Sequence, residues 1–233
     1  MEHILFLFHW AHVLAGLIWI GTLYFFNFFL MPFLARTRPE VRTEVFHKLV
    51  SLTLGVFQWA PLVTVLSGGL IYLHRLTSIG SAAFFNLRYG LAISLGSVLG
   101  LVMFLNGWFV MHPKQKVVVA SAGRVAQGGQ PIPEAAVYSR RVVLTSRTNL
   151  LLSIPMLFFM VAATHYPSIT AMPLMDSPAW FWLLVLVILA GIEMNALTGS
   201  QGATKKPLES LRATLGGAFI LLAAFYVLFL MLI

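Results

Sequence analysis

Six stretches of this chain stay apolar long enough to cross a bilayer, and the polar residues gather between them. The stretches are 4–34, 46–73, 85–111, 144–164, 178–198 and 210–233, and a membrane helix needs roughly 20 apolar residues. Pro/Gly-rich or charged connections separate them. The longest, 112–143 with AQGGQPIPEAA at its middle, reads as a solvent-exposed loop. No internal repeat and no second domain is evident. The pattern predicts an all-α integral membrane protein, one domain over 1–233, with six transmembrane helices in contact with a lipid bilayer.

Composition agrees. Hydrophobic residues make up 59% of the chain and charged ones 9%, with mean hydropathy +0.89, whereas soluble domains carry about 25% charged residues. The first stretch is too long for the apolar part of a signal peptide and opens with Glu2 and His3 instead of basic residues, so it reads as a membrane helix. A net charge of +8 points to one decorated membrane face and not to nucleic acid, because no soluble basic domain accompanies it.

The basic residues also predict orientation. Connection 1–2 carries Arg36, Arg38, Arg42 and Lys48; connection 3–4 carries Lys114, Lys116, Arg124, Arg140, Arg141 and Arg147; connection 5–6 carries Lys205, Lys206 and Arg212. Only Arg75 and Arg88 fall elsewhere, both in connection 2–3. The positive-inside rule then puts the N-terminus and the C-terminus outside the cell's inner (plasma) membrane.

Chemistry is limited by the absence of cysteine, which excludes disulfides, thiolate metal sites and covalently attached c-type haem. Ligation falls to His, Met, carboxylate or backbone. In the predicted orientation His3, His9 and His12 lie toward the outer end of helix 1, His74 at the outer end of helix 2 and His165 at the outer end of helix 4. His12 is the deepest, roughly 12 Å along the helix from Ile4 at about 1.5 Å per residue. Ionisable residues inside spans are costly and mark function, and imidazole is an axial ligand of haem iron. Two helices presenting His12 and His165 from opposite sides would clamp a b-type haem, with His9 and His74 as weaker candidates. Gly16, one turn from His12, and Gly68, Gly69, Gly96 and Gly100 would let a flat macrocycle approach backbone, although small residues also pack membrane helices together. Arg75 and Arg88 could neutralise its propionates. His47 and His112, at the inner edge, read as solvated; a second haem there is the alternative.

At these residues the chain resembles a known family. HWAHVLAGLIWIGTLYFFNF (9–28) and RTNLLLSIPMLFFMVAATHYP (147–167) are similar to the first and fourth helices of the membrane-bound urate oxidase N-terminal family, and FQWAPLVTVLSGG (57–69) and LGSVLGLVMFLNGWFVMHPKQK (95–116) to its second and third. The similarity covers about residues 4–167; the last two helices match only in being apolar. The spacing of His12, Trp19 and Gly21 is also similar to the first helix of protoporphyrinogen-oxidase-like and copper-resistance membrane families. The resemblance implies a cytochrome b-like module in which His12 and His165 are the carried-over histidines. Family members often have a histidine where this chain has Gly55 and another where it has Ser94, which favours one haem b over two. Their appended cytochrome c domain is missing here, so electrons would pass to a separate c-type cytochrome or another subunit of an electron-transfer complex. Urate oxidation does not follow from any residue of the chain.

Three functions result as expectations. The first is a haem b subunit carrying electrons between a membrane donor such as quinol and an external acceptor, an electron-transfer subunit in preference to a stand-alone enzyme. The others are a haem-dependent membrane oxidase of a small substrate and a haem-free structural subunit of a larger membrane complex. Among the remaining polar residues, Asn27, Gln58 and Asn106 are expected to hydrogen-bond between helices. Glu193 is expected to snorkel to water near the inner face, with Arg212 as an alternative partner.

Overall fold

The computed structural model describes residues 2–174 and 178–231. Six long helices account for most of them: α1 Glu2–Leu34, α2 Pro39–Ile79, α3 Arg88–Ala126, α4 Ala135–His165, α5 Ala179–Leu197 and α6 Leu211–Leu230. Each is long and apolar enough to cross a membrane, and the chain is a multi-pass membrane protein. Among the described residues the only extended pairing is an isolated bridge, Leu87 with Pro173. Residues 232 and 233, the end of the sixth expected span, lie outside the described residues.

Three helices outrun the apolar stretches, α2 at both ends, α3 at its C-terminal end and α4 at its N-terminal end. α2 starts at Pro39, where a missing N–H costs nothing, and stops at Gly80, whose φ of 87° is one that L side chains rarely adopt. The expected loop 112–143 is largely helical. α3 continues through His112–Ala126, turns at Gly128 with φ 81°, and α4 begins at Ala135. Hydropathy falls at residue 112, but backbone hydrogen bonding does not stop where lipid stops. Both extensions pack on one another, burying Gln115 and Ser121.

α4 is the central helix. Of its most apolar 18 residues 61% are buried, against 39% or fewer in the other five. It touches α1, α3, α5 and α6, while α1 packs mainly on α2. Leu95, Leu99 and Met103 of α3 meet Leu152, Met156 and Phe159 of α4, and Phe181, Val185 and Phe225 close the other side. Lipid is as apolar as these side chains, so close packing and interhelical hydrogen bonds, not the hydrophobic effect, must select the partners.

Those hydrogen bonds converge on α4. Tyr24 bonds Ser153 at 3.1 Å, and Asn27 donates to Ser146 at 2.9 Å and to the Leu23 carbonyl at 2.8 Å. Asn106 donates to Asn149 and to Glu193, each at 3.0 Å, and Asn149 donates to the Met103 carbonyl at 3.0 Å. Asn27 and Asn106 each stand at the start of a π-helical turn, Phe26–Leu30 and Asn106–Met111. A π turn shifts the carbonyl register, and an amide side chain can occupy a carbonyl at the junction. The expectation for these two asparagines holds; Gln58, half-buried, makes no side-chain hydrogen bond among the described residues. Replacing Asn106 by Leu strands the Asn149 and Glu193 oxygens, and we expect it to lower stability by about 1–2 kcal/mol, read as an earlier thermal transition in detergent.

Cationic side chains tie the connections between α1 and α2 and between α5 and α6. Arg42 donates to the Leu34 carbonyl at 3.0 Å, Arg140 pairs with Glu209, and the buried Lys205 donates to the Thr198 carbonyl at 2.7 Å. Burial, and secondarily the Arg141 charge, hold the Lys205 ammonium below the usual lysine range.

Candidate functional site

His12 sits in the seam between α1 and α2. Its Nδ1 lies 2.9 Å from the Thr64 carbonyl oxygen. A carbonyl only accepts, so Nδ1 carries the proton, and in the neutral imidazole Nε2 keeps its lone pair. Nε2 has no hydrogen-bond partner among the described residues. This is the form in which histidine binds metal, with a backbone carbonyl fixing tautomer and ring direction. Gly68 makes room for the ring: a Cβ there would lie 2.7 Å from Cε1 and 2.9 Å from Nδ1 of His12. Gly16 faces the Thr64 side chain, 3.8 Å from a Cβ it lacks. Helical geometry at 3.6 residues per turn puts Thr64, Gly68 and Arg75 on one stripe of α2, with Arg75 exposed roughly 10 Å beyond Gly68 at about 1.5 Å per residue. His9, a turn above His12, likewise uses Nδ1 on a carbonyl, that of Leu5 at 2.8 Å.

His165 is elsewhere. It is exposed at the end of α4, with Nδ1 2.7 Å from the Thr164 hydroxyl. It lines a groove of about 730 Å³ between α4 and α6, walled by residues such as Phe158, Ala162, Ala223 and Tyr226. No lining residue comes from α1 or α2, so the two histidines expected to share an iron are held against different helices. Sequence depth placed them at similar heights; the side of the bundle each one faces follows from how α4 packs.

Other candidates are placed as follows. His74 is half-buried, its Nε2 3.4 Å from the Ser78 hydroxyl, and His3 is exposed. Arg88 is buried beneath segment 171–174: its backbone N–H donates to the Met172 carbonyl at 3.1 Å, Nη1 reaches the Met172 sulfur at 3.4 Å, and Nε has no partner. Gly96 and Gly100 leave no cradle for a macrocycle, because Met160 and Met156 of α4 fill the spaces. Nothing lies within 4 Å of the Cβ that Gly69 or Gly55 would carry. Ser94 is buried and bonds the Tyr72 hydroxyl at 2.7 Å.

His47 and His112, expected to be solvated, are both half-buried. His47 packs against Gly123, 3.1 Å from a Cβ placed there, and both ring nitrogens of His112 are buried without a partner. Gly123, in the helical extension of α3, is what His47 packs on. Among the described residues no group of three or more His, Cys, Asp or Glu could hold a metal ion. Glu193 does not snorkel and does not pair with Arg212; Asn106 holds its carboxylate inside the bundle. Asn149, which accepts from Asn106 in that cluster, has as its only sequence signal an amide within an apolar run.

Neither a curated protein nor a solved structure matches the chain. The model of the urate oxidase N-terminal family matches residues 40–228, which takes in α2 to α6. It therefore reaches through α5 and α6, which read as merely apolar, and begins after His12. With well over half of its length matched, the chain belongs to the urate oxidase N-terminal family.

Proposed function

We propose that the protein is a haem b-binding membrane subunit, with His12 supplying an axial imidazole through Nε2. The observation that carries this reading is the Nδ1 hydrogen bond to Thr64, in a seam where Gly68 is shaped to the ring. A haem held there supplies a one-electron carrier. Arg75, outward on the stripe that carries Thr64 and Gly68, is the cation placed for a propionate; Arg88 is turned under segment 171–174. Of the two expected histidines, His12 would hold the iron, since His165 lines the other groove. With the basic connections inside, both termini and the His12 end of the seam face outward across the plasma membrane. Electrons then pass from a membrane donor such as quinol to an external acceptor such as a c-type cytochrome.

A second reading, a haem-dependent membrane oxidase of a small substrate, is favoured by one observation: the cavity lined by His165 draws no residue from α1 or α2, which leaves His12 without an opposing imidazole from α4. Spectra separate the readings. Protein purified in mild detergent, oxidised and then reduced with dithionite, is expected to show a sharp α-band and about one haem b per chain by pyridine haemochrome, and His165→Ala is expected to keep both. Carbon monoxide binding to the reduced protein would favour the oxidase. A colourless protein after haem supplementation would overturn both readings and leave the structural subunit.

A further inference from the structure

We propose that the groove between α4 and α6 binds the ring of a membrane-soluble quinol. Its volume, about 730 Å³, is within the range of small-molecule sites. Its walls are aliphatic and aromatic, with Phe158 and Tyr226 edge to face at 5.4 Å, and Ala162 and Ala223 provide the depth. Polar groups collect among the lining residues: His165, Tyr166 and Tyr226.

The hydrogen bonding of His165 defines what it can take. The Thr164 hydroxyl lies 3.1 Å from the Val161 carbonyl and 2.7 Å from His165 Nδ1. Its one proton goes to the carbonyl, which leaves Nε2 an acceptor, or to Nδ1, which leaves Nε2 a donor; in both forms Nε2 is the ring nitrogen left for a ligand. As an acceptor in an apolar groove Nε2 takes a quinol O–H, as a donor it takes the carbonyl of the quinone, and the Tyr166 and Tyr226 hydroxyls add polar groups at the same end of the groove. Among the described residues no Lys, Arg, Asp or Glu lines the groove. A porphyrin's propionates or a phospholipid's phosphate would find no countercharge there, whereas an uncharged hydroquinone needs none. An isoprenoid tail can leave along the apolar helix faces into lipid.

This inference deepens the electron-transfer reading by giving its donor a place, but its test reads binding alone. The full chain in nanodiscs is titrated with decylubiquinol, and a photoreactive quinone analogue maps the contact by peptide mass spectrometry. Saturable binding, with label on α4 or α6 peptides, is expected. His165→Phe removes the ring nitrogen and should weaken binding about tenfold, the loss of one well-made hydrogen bond; Ala223→Trp should abolish it by filling the groove. His165→Phe changes an exposed side chain, so it keeps the test usable if Ala223→Trp does not fold. Absent or non-saturable binding, affinity unchanged in His165→Phe, or displacement by phosphatidylglycerol as readily as by quinol would overturn the proposal. A colourless protein that binds quinol at this groove sinks the haem reading alone; a haem protein that does not bind it sinks this one alone.

Discussion

His12→Ala is expected to strip the protein of haem, with the reduced α-band falling at least about tenfold per chain while the purified protein stays monodisperse. The physical reason is the pairing of a free Nε2 with an Nδ1 already committed to Thr64. Removing the imidazole removes the iron ligand and leaves only a carbonyl inside helix α2, which still has the helix's own N–H groups for partners, so folding should survive. A companion substitution isolates orientation from ligation. Gly68→Val puts a branched side chain where a Cβ alone would already lie 2.7 Å from the ring, forcing His12 off the Thr64 carbonyl while keeping the imidazole. Loss of a group that orients a metal ligand costs about 10–100-fold in affinity. Haem retained at wild-type level in both variants would remove His12 from the site.

Gly90→Val is expected to be the most destabilising single change outside the haem question, by about 3 kcal/mol, toward the upper end of what overpacking costs. A Cβ on residue 90 would collide with the Phe84 carbonyl oxygen and approach its carbonyl carbon to 2.8 Å. These are backbone atoms, and they cannot swing aside as a side chain does. Phe84 is itself fully buried, edge to face with Tyr72 at 5.2 Å and with Tyr89 at 5.9 Å, so shifting it disturbs the packing of α2 on the start of α3. Gly69→Ala is the control, because its added methyl meets nothing within 4 Å. Thermal unfolding in detergent, followed by size-exclusion of heated samples, should show a much earlier transition for Gly90→Val and none of that shift for Gly69→Ala. Equal transitions would mean that the Phe84 turn yields easily.

The six helices were legible because a bilayer leaves the backbone no alternative: a long apolar stretch without charges must satisfy its own hydrogen bonds as helix. Asn27 and Asn106 were legible for the same reason, since an amide in lipid has to find a partner. Helix ends were less so. The 112–126 segment is polar enough to read as loop, yet its contacts with α2 and α4 keep it helical and bury the imidazole nitrogens of His112.

Sequence by itself determined that this is a six-helix membrane protein with histidines near the ends of α1 and α4, and that glycine beside His12 could matter. It could not determine which way those histidines face. Depth along a helix follows from residue count, but azimuth around the bundle depends on which helix packs where, and α4 at the centre turns His165 toward α6 while Thr64 and Gly68 of α2 take hold of His12. Glu193 carries the same lesson: its depth along α5 was readable, but the amide of Asn106 reaches it only because α3 and α5 are brought together in the folded bundle.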